Sequence, residues 1–258
     1  MSSPSWADAA LQQFDAIVQA TAGFRPRPGQ QQMATLVAQT FERAQLGKVA
    51  EGEGALQRAL AVIQAGTGVG KSLAYCVPAI HVALARGTRV LISTATVALQ
   101  EQLVHKDLPT LAAQMPQPFA FALAKGRGRY VCKLKLERLL SGVGEDDDVV
   151  PDDLLAAEAA EQRLVRRSVA AQGERAQFYA SLAQSLASSQ WDGDRDQLPS
   201  PPEPELWASV AADAHTCTNK HCPLFAQCSY FERRKELVAA QVIVANHDLL
   251  LSSLGARV

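Results

Sequence analysis

Residues Leu60–Ser72 read LAVIQAGTGVGKS. The first five, LAVIQ, form a short apolar run between glycines, the pattern of a buried strand. The next eight, Ala65–Ser72, fit the Walker A phosphate-loop pattern, with Ala65 where a glycine usually stands. Gly66, Gly68 and Gly70, with Thr67 and Val69 between them, let the backbone turn so that several N–H groups face one anion. A helix is expected from Lys71, and its positive dipole end adds to the site. Lys71 is the only cation within the loop and is placed to reach β- and γ-phosphates, while the Ser72 hydroxyl is suited to Mg2+. The eight residues are therefore a candidate site for ATP and Mg2+, with Lys71 and Ser72 as its catalytic pair. A glycine-rich turn can arise by chance; the strand before it and the amphipathic helix after it supply the context the motif requires.

Working outward, Lys71–Arg86 is expected to be helical, with Leu73, Val77, Ile80 and Leu84 on one face. Pro78 predicts a kink. Arg89–Ser93 (RVLIS) reads as a second strand, Val97 to about Gln114 as a second helix broken at Pro109, and Phe119–Ala124 (FAFALA) as a third strand. Strand and helix alternation implies right-handed crossovers and a parallel α/β sheet. Residues 126–236 then turn polar and helical. Asp153–Arg167 and Arg175–Ser188 read as amphipathic helices, interrupted by an acidic loop, GEDDDVVPDD (Gly144–Asp153), and a Pro-rich one, LPSPPEPE (Leu198–Glu205). Gln241–Ala245 (QVIVA) returns to a strand pattern that can rejoin the sheet, which makes the middle part an insertion and not a tail.

Two features of the middle part carry chemistry. Cys132 stands alone, and Cys217, Cys222 and Cys228 follow with gaps of four and five residues. Zinc ribbons favour close C-x-x-C pairs, which are absent here; wide, unequal gaps suit a [4Fe–4S] cluster. Zinc on the three clustered cysteines plus Cys132, His215 or His221 stands beside that reading. Cys76, one turn into the first helix, reads as a small core residue. Lys125, Arg127, Arg129, Lys133, Lys135 and Arg138 crowd fourteen residues against a single acid, Glu137, with Tyr130 supplying a ring. Cations bind phosphates and rings stack on bases, so the segment is a candidate groove for single-stranded nucleic acid; a solvated helix face is the plain alternative.

Composition limits what surrounds these motifs. The 258 residues are 48% hydrophobic and 20% charged, a globular balance that excludes general disorder. A formal net charge of −1 excludes a globally basic nucleic-acid coat and leaves room for a local patch. No apolar run approaches the roughly 18 residues of a membrane span, and no signal peptide is apparent, so a cytoplasmic chain is expected.

In combination, the phosphate loop and the ordered four-cysteine insertion resemble the DinG-type iron–sulfur DNA helicases, superfamily 2 relatives of the XPD helicases. FRPRPGQQQM (Phe24–Met33) is similar to the family's adenine-recognising segment, with Gln30 at the glutamine position; its amide can donate to and accept from an adenine edge. ISTATVALQEQL (Ile92–Leu103) looks like the motif that touches the DNA backbone, with Thr94 and Thr96 offering hydroxyls. GRGRYVC (Gly126–Cys132), with Arg127 and Arg129, matches the segment carrying the first cluster ligand, and VANHDLLL (Val244–Leu251) the stretch after the cluster domain. The resemblance implies a RecA-like α/β motor domain in two pieces, 1–125 and 237–258, around an iron–sulfur domain at 126–236. It implies that Cys132, Cys217, Cys222 and Cys228 hold a [4Fe–4S] cluster. It further implies a monomer driving 5′ to 3′ along single-stranded or forked DNA in repair or replication.

The chain departs from the family in two respects: these 258 residues are read as lacking the Walker B run and the second motor domain with its arginine fingers. No apolar run ending in Asp-Glu, the Walker B pattern, follows VANHDLLL, and Asp146–Asp148 has no apolar strand before it. Hydrolysis needs such a carboxylate to hold Mg2+ and place water. These 258 residues are therefore expected to bind nucleotide and single-stranded DNA with little turnover. A non-catalytic iron–sulfur or zinc module that grips DNA or a partner is the alternative.

Overall fold

In α1 (Trp6–Ala20), Ala7, Ala10, Phe14 and Ile17 recur every three or four residues and are buried together with Val18. The sequence reading did not place this helix, because alanines carry much of its buried face. α2 (Pro28–Arg43) opens with Pro28, whose fixed φ suits a first turn. A computed structural model of the chain describes these elements and, in all, residues 5–20, 23, 25, 27–45, 57–141 and 158–255. The contacts divide the chain into two units, Met1–Lys125 with Glu236–Val258, and Gly126–Lys235.

In the first unit, α3 (Lys71–Ala85) runs unbroken through the buried Pro78. β1 (Val90–Thr94) follows, then α4 (Val97–Gln102) and α5 (Leu108–Gln114). Between those two helices the chain makes a wide π turn, Leu103–Asp107, immediately before Pro109. The break expected at Pro109 thus lies on its N-terminal side. Proline has no N–H to donate, and its ring crowds the carbonyl four residues back, which a wider turn relieves. β2 (Phe121–Leu123) completes this run.

β3 (Val242–Asn246) then enters between the two earlier strands. The order is β1-β3-β2, all parallel, with Val242 opposite both Val90 and Phe121. Val242 and Val244 are fully buried, as a central strand requires. Phe14, Ile17, Ile80, Leu108 and Leu111 close the core from the helices, each such side chain contributing about 1.5–3 kcal/mol. Arg86, at the end of α3, donates to Ala44 O at 2.9 Å and Glu42 O at 3.1 Å and lies 4.0 Å over the Trp6 ring, which ties the ends of three helices.

The expected strand at Leu60–Gln64 is not part of this sheet. Leu60 and Val62 are 90% and 91% exposed, and only Ile63 packs against the core. An apolar run becomes a strand only where a neighbour accepts its hydrogen bonds, and the ladder of β1, β3 and β2 does not include it.

The second unit begins with a short 3-10 turn, Arg127–Arg129, and α6 (Lys133–Leu140). A single helix, α7 (Glu158–Ala187), replaces the two expected around residues 153–188 and runs straight through Gly173. The acidic GEDDDVVPDD loop lies outside the described residues. α8 (Pro204–Val210), two 3-10 turns and α9 (Ser229–Ala239) follow; the first unit closes with α10 (His247–Gly255). None of the described helices is long and apolar enough to cross a membrane.

Two tryptophans organise the second core. Trp191 and Trp207 meet edge to face at 6.3 Å, beside Val131, Leu136, Tyr179, Leu182 and Val210. Their ring N–H groups donate to Asp194 O and Gly128 O, each at 2.7 Å, which satisfies the buried nitrogens. Single antiparallel bridges, Tyr130 with Asp194 and Val131 with Ala211, fix the chain around them. At the tight turn between, Gly193 has φ +95°, and an added Cβ would lie 2.7 Å from Ser229 Cβ. Gly193→Ala is expected to lower stability by about 3 kcal/mol, since it combines left-handed strain with overpacking. The denaturant midpoint checks this, and an unchanged midpoint would contradict the packing described.

Candidate functional site

The phosphate loop hangs between the exposed Leu60–Gln64 segment and α3. Gly68 and Gly70 have φ of +77° and +85°, and Gly70 is the N-cap of α3. No side chain caps that helix, so its first amides are open to a ligand. Lys71 Nζ donates back to Ala65 O at 3.1 Å and Gly66 O at 2.9 Å. Gln30 Nε2 donates to Gly70 O at 3.0 Å, and Arg27 Nη1 donates to Gly68 O. Four loop carbonyls are therefore held by three side chains. Arg27 is a cation the sequence reading did not assign to the loop; its signal was a basic residue at the N-cap of α2, three positions before Gln30.

Gln30 is fully buried, and its Oε1 has no partner among the described residues. Beside it a groove of about 390 Å³ opens onto the loop, lined by Gly29, Gln32, Met33, Val62, Ile63 and Val69 among others. Behind the loop, Cys76 is fully buried in α3, and burial pushes its thiol far above the usual range, so it stays protonated as a core residue.

A second group collects at the carboxyl ends of the parallel strands. Thr94, opposite Asn246, is buried and donates to Thr96 O at 3.1 Å. Thr96 is exposed and caps α4, its hydroxyl accepting from Leu99 N–H at 3.3 Å. The two hydroxyls that the sequence pairs are thus unlike: one is internal and one faces solvent. Ser93 Oγ and His247 Nδ1 lie 2.8 Å apart, and Asn246 Oδ1 accepts from Leu249 N–H at 2.8 Å to start α10. Ser93 and His247 were not singled out from sequence, because 154 positions separate them.

In the second unit the basic segment is partly engaged internally. Arg127 stacks 4.6 Å over Tyr230, with Nη1 buried and unpartnered among the described residues. Arg129 Nη1 pairs with Asp196 Oδ1 at 3.0 Å. Tyr130, expected to offer a ring to a base, is 3% exposed and packs 5.8 Å from Tyr230. Its ring belongs to the core.

The four cysteines all fall in this unit, free and half-buried. Cys132 is the N-cap of α6, where its N–H donates to Val210 O at 2.7 Å. Cys217, Cys222 and Cys228 flank the two 3-10 turns, Asn219–His221 and Phe225–Gln227. Asn219 N–H points at Cys217 Sγ, at 3.4 Å. Just before, the exposed Asp213 carboxylate is held below its ordinary range, chiefly by the His215 N–H and also by Thr216. Among the described residues, no three His, Cys, Asp or Glu side chains converge as a group able to hold one metal ion.

The phosphate loop and the end of β1 fall within residues 43–117, which match the DEAD/DEAH box helicase family. Similarity extends well beyond that stretch. The "ATP-dependent DNA helicase DinG" of Photobacterium profundum is 36% identical over 217 residues, 84% of this chain and 29% of that protein. The same-named protein of Salmonella typhimurium is 35% identical over 237 residues, 91% of this chain and 29% of its own length. That of Escherichia coli K12 is 35% identical over 247 residues, 95% of this chain and 31% of its own. The chain is thus similar to these helicases over most of its own length and spans under a third of theirs.

Proposed function

We propose that the chain carries the nucleotide-binding and strand-gripping part of an ATP-dependent DNA helicase. The carrying observation is the loop itself: a lysine folded onto two loop carbonyls at the uncapped start of a helix. A triphosphate is a better acceptor for Lys71 than neutral carbonyls, because charge-assisted bonds are about twice as strong. In this reading Lys71 swings from Ala65 and Gly66 to the β- and γ-phosphates, the amides of Gly66–Gly70 and the first turn of α3 take the remaining oxygens, and Ser72 holds Mg2+. The adjacent groove takes the base. No Asp-Glu pair follows an apolar run in these residues, so binding is expected with little turnover.

DNA is assigned to two places. Thr96, with Thr94 behind it, lies at the end of β1, and Arg127 and Arg129 lie in the inserted unit. The Arg129–Asp196 pair is part-exposed, 42% and 26%, and exposed pairs contribute at most about 1 kcal/mol, so a DNA phosphate can take the guanidinium over. Travel 5′ to 3′ on single-stranded or forked DNA, and a role in repair, belong to the same proposal.

The inserted unit is proposed to hold a [4Fe–4S] cluster on Cys132, Cys217, Cys222 and Cys228. The donor chemistry supports this reading, four soft thiols with none in a disulfide and a backbone N–H directed at one sulfur, although their side chains do not converge as a group in this structure. When bound, the cluster would cross-link the start of α6 to the turns at 217–228 and supply a redox-active centre. Cys132 and the three later cysteines would anchor it, and Asp213 would hold the turn that leads into Cys217.

Two measurements test this. Lys71→Ala is expected to weaken ATP binding by about thirty- to a hundredfold, the loss of charge-assisted hydrogen bonds, in a calorimetric titration; unchanged affinity would reject the nucleotide site. Anaerobically purified protein is expected to contain about four irons and four sulfides per chain, and Cys132→Ser to lose them with the visible absorbance. Zinc without iron or sulfide would reject the cluster.

A further inference from the structure

The tight turn at residues 192–196 touches two cysteine-bearing segments of the second unit. Toward Cys132, Gly193 O accepts from Val131 N–H at 2.9 Å, Asp194 bridges Tyr130, and the Asp196 carboxylate pairs with Arg129 at 3.0 Å. Toward Cys228, the Asp192 carboxylate pairs with Arg233 on α9. Gly193 meets both sides at once: a Cβ there would lie 2.7 Å from Ser229 Cβ and 3.0 Å from Val131 Cγ1. Val131 immediately precedes Cys132, and Ser229 immediately follows Cys228. The absent side chain of Gly193 is what lets the two segments close on one point.

The turn is braced from within. Asp192 accepts from Asp194 N–H and from Gln197 Nε2, each at 2.9 Å, and Asp194 accepts from Asp196 N–H at 3.0 Å. The buried Trp191 donates to Asp194 O at 2.7 Å, which anchors the turn in the core. Both cysteines it serves stand where a helix begins. Cys132 O accepts from Leu136 N–H at 3.0 Å in α6, and Cys228 O accepts from Glu232 N–H at 2.9 Å in α9. Cys217 and Cys222 are held differently. The bonds of their turns are local: His221 N–H to Thr218 O, Cys222 N–H to Asn219 O, and Asn219 N–H to Cys217 Sγ. Segments held by local bonds open and close at little cost.

We propose that the 192–196 turn is a positioning element for the [4Fe–4S] cluster: it presets the backbone at Cys132 and Cys228, and Cys217 and Cys222 close onto that pair when iron arrives. The proposal rests on the cluster reading given above. It accounts for an arrangement in which, among the described residues, no three of these side chains converge: two ligand positions are fixed by the fold, and two wait on the metal. Asp192, Arg233 and Gly193 stand outside the donor set and act through the segments they hold. Groups that orient ligands in this way typically change metal affinity by roughly ten- to a hundredfold.

Cross-linking tests the preset pair without metal. Cys217→Ser with Cys222→Ser leaves Cys132 and Cys228 as the half-buried thiols, beside the buried Cys76. In that metal-free 258-residue chain a short bismaleimide is expected to join Cys132 to Cys228, read by peptide mass, and a further Asp192→Asn to slow the joining severalfold. Absence of this cross-link, or an equal rate with Asp192→Asn, would overturn the proposal and leave the cluster reading intact. Chelation tests the same turn with metal. In anaerobically purified protein with all its cysteines, Asp192→Asn and Arg233→Gln are each expected to lose iron to a ferrous chelator about tenfold faster than wild type. The unfolding midpoint of the metal-free chain is expected to stay unchanged, because a part-exposed ion pair adds little stability. Iron loss at the wild-type rate in both folded variants would overturn the proposal. A wild-type chain that holds zinc and no iron would overturn the cluster reading and this proposal together.

Discussion

Four carbonyls of one short loop, those of Ala65, Gly66, Gly68 and Gly70, are each held by a side chain: Lys71 twice, Arg27 and Gln30. A loop of backbone with glycines at left-handed φ has high conformational entropy when free. Pinning its carbonyls removes that freedom before any ligand arrives, and planar peptides convert the pinning into a fixed set of amide directions. Preorganised donors cost nothing further to arrange at the moment of binding. The rest of the first unit places those three side chains: α3 carries Lys71, the first turn of α2 carries Arg27 and Gln30, and the Phe14–Ile80–Val244 core holds the helices against the sheet.

That sheet depends on a distant return of the chain. β3 stands between β1 and β2, so neither earlier strand has a partner until residues 242–246 arrive. Everything from 126 to 235 must leave and come back, and it forms its own core around Trp191 and Trp207. The same return sets Asn246 opposite Thr94 and brings His247 to Ser93, which gathers polar side chains at the strands' carboxyl ends. Ligand sites in parallel sheets lie at such ends because loops there are free to vary over a fixed scaffold.

What could be read in the sequence was what local chemistry decides. Glycine spacing with Lys71 and Ser72 predicts a turn whose amides can face an anion, and the QVIVA run is apolar on both faces, as a central strand must be. LAVIQ carries the same pattern, yet it lies outside the sheet, because pairing depends on partners that composition does not reveal. Tyr130 failed for a related reason: its burial is caused by Tyr230, a hundred residues on. Arg27 and Gln30 were legible as residue types, but their grip on Gly68 and Gly70 is a product of how α2 meets the loop. The cysteine spacing gives donor types only; convergence depends on how α6 and the turns at 217–228 fold, and among the described residues the sulfurs do not form one group.

Amide hydrogen exchange tests most directly whether the loop is an anion cradle. On addition of ATP and Mg2+, exchange at Thr67–Leu73 is predicted to slow as these N–H groups bond to phosphate oxygens, while Trp191–Val210 in the other core stays unchanged. Exchange at Thr67–Leu73 that is indifferent to saturating nucleotide would contradict the account.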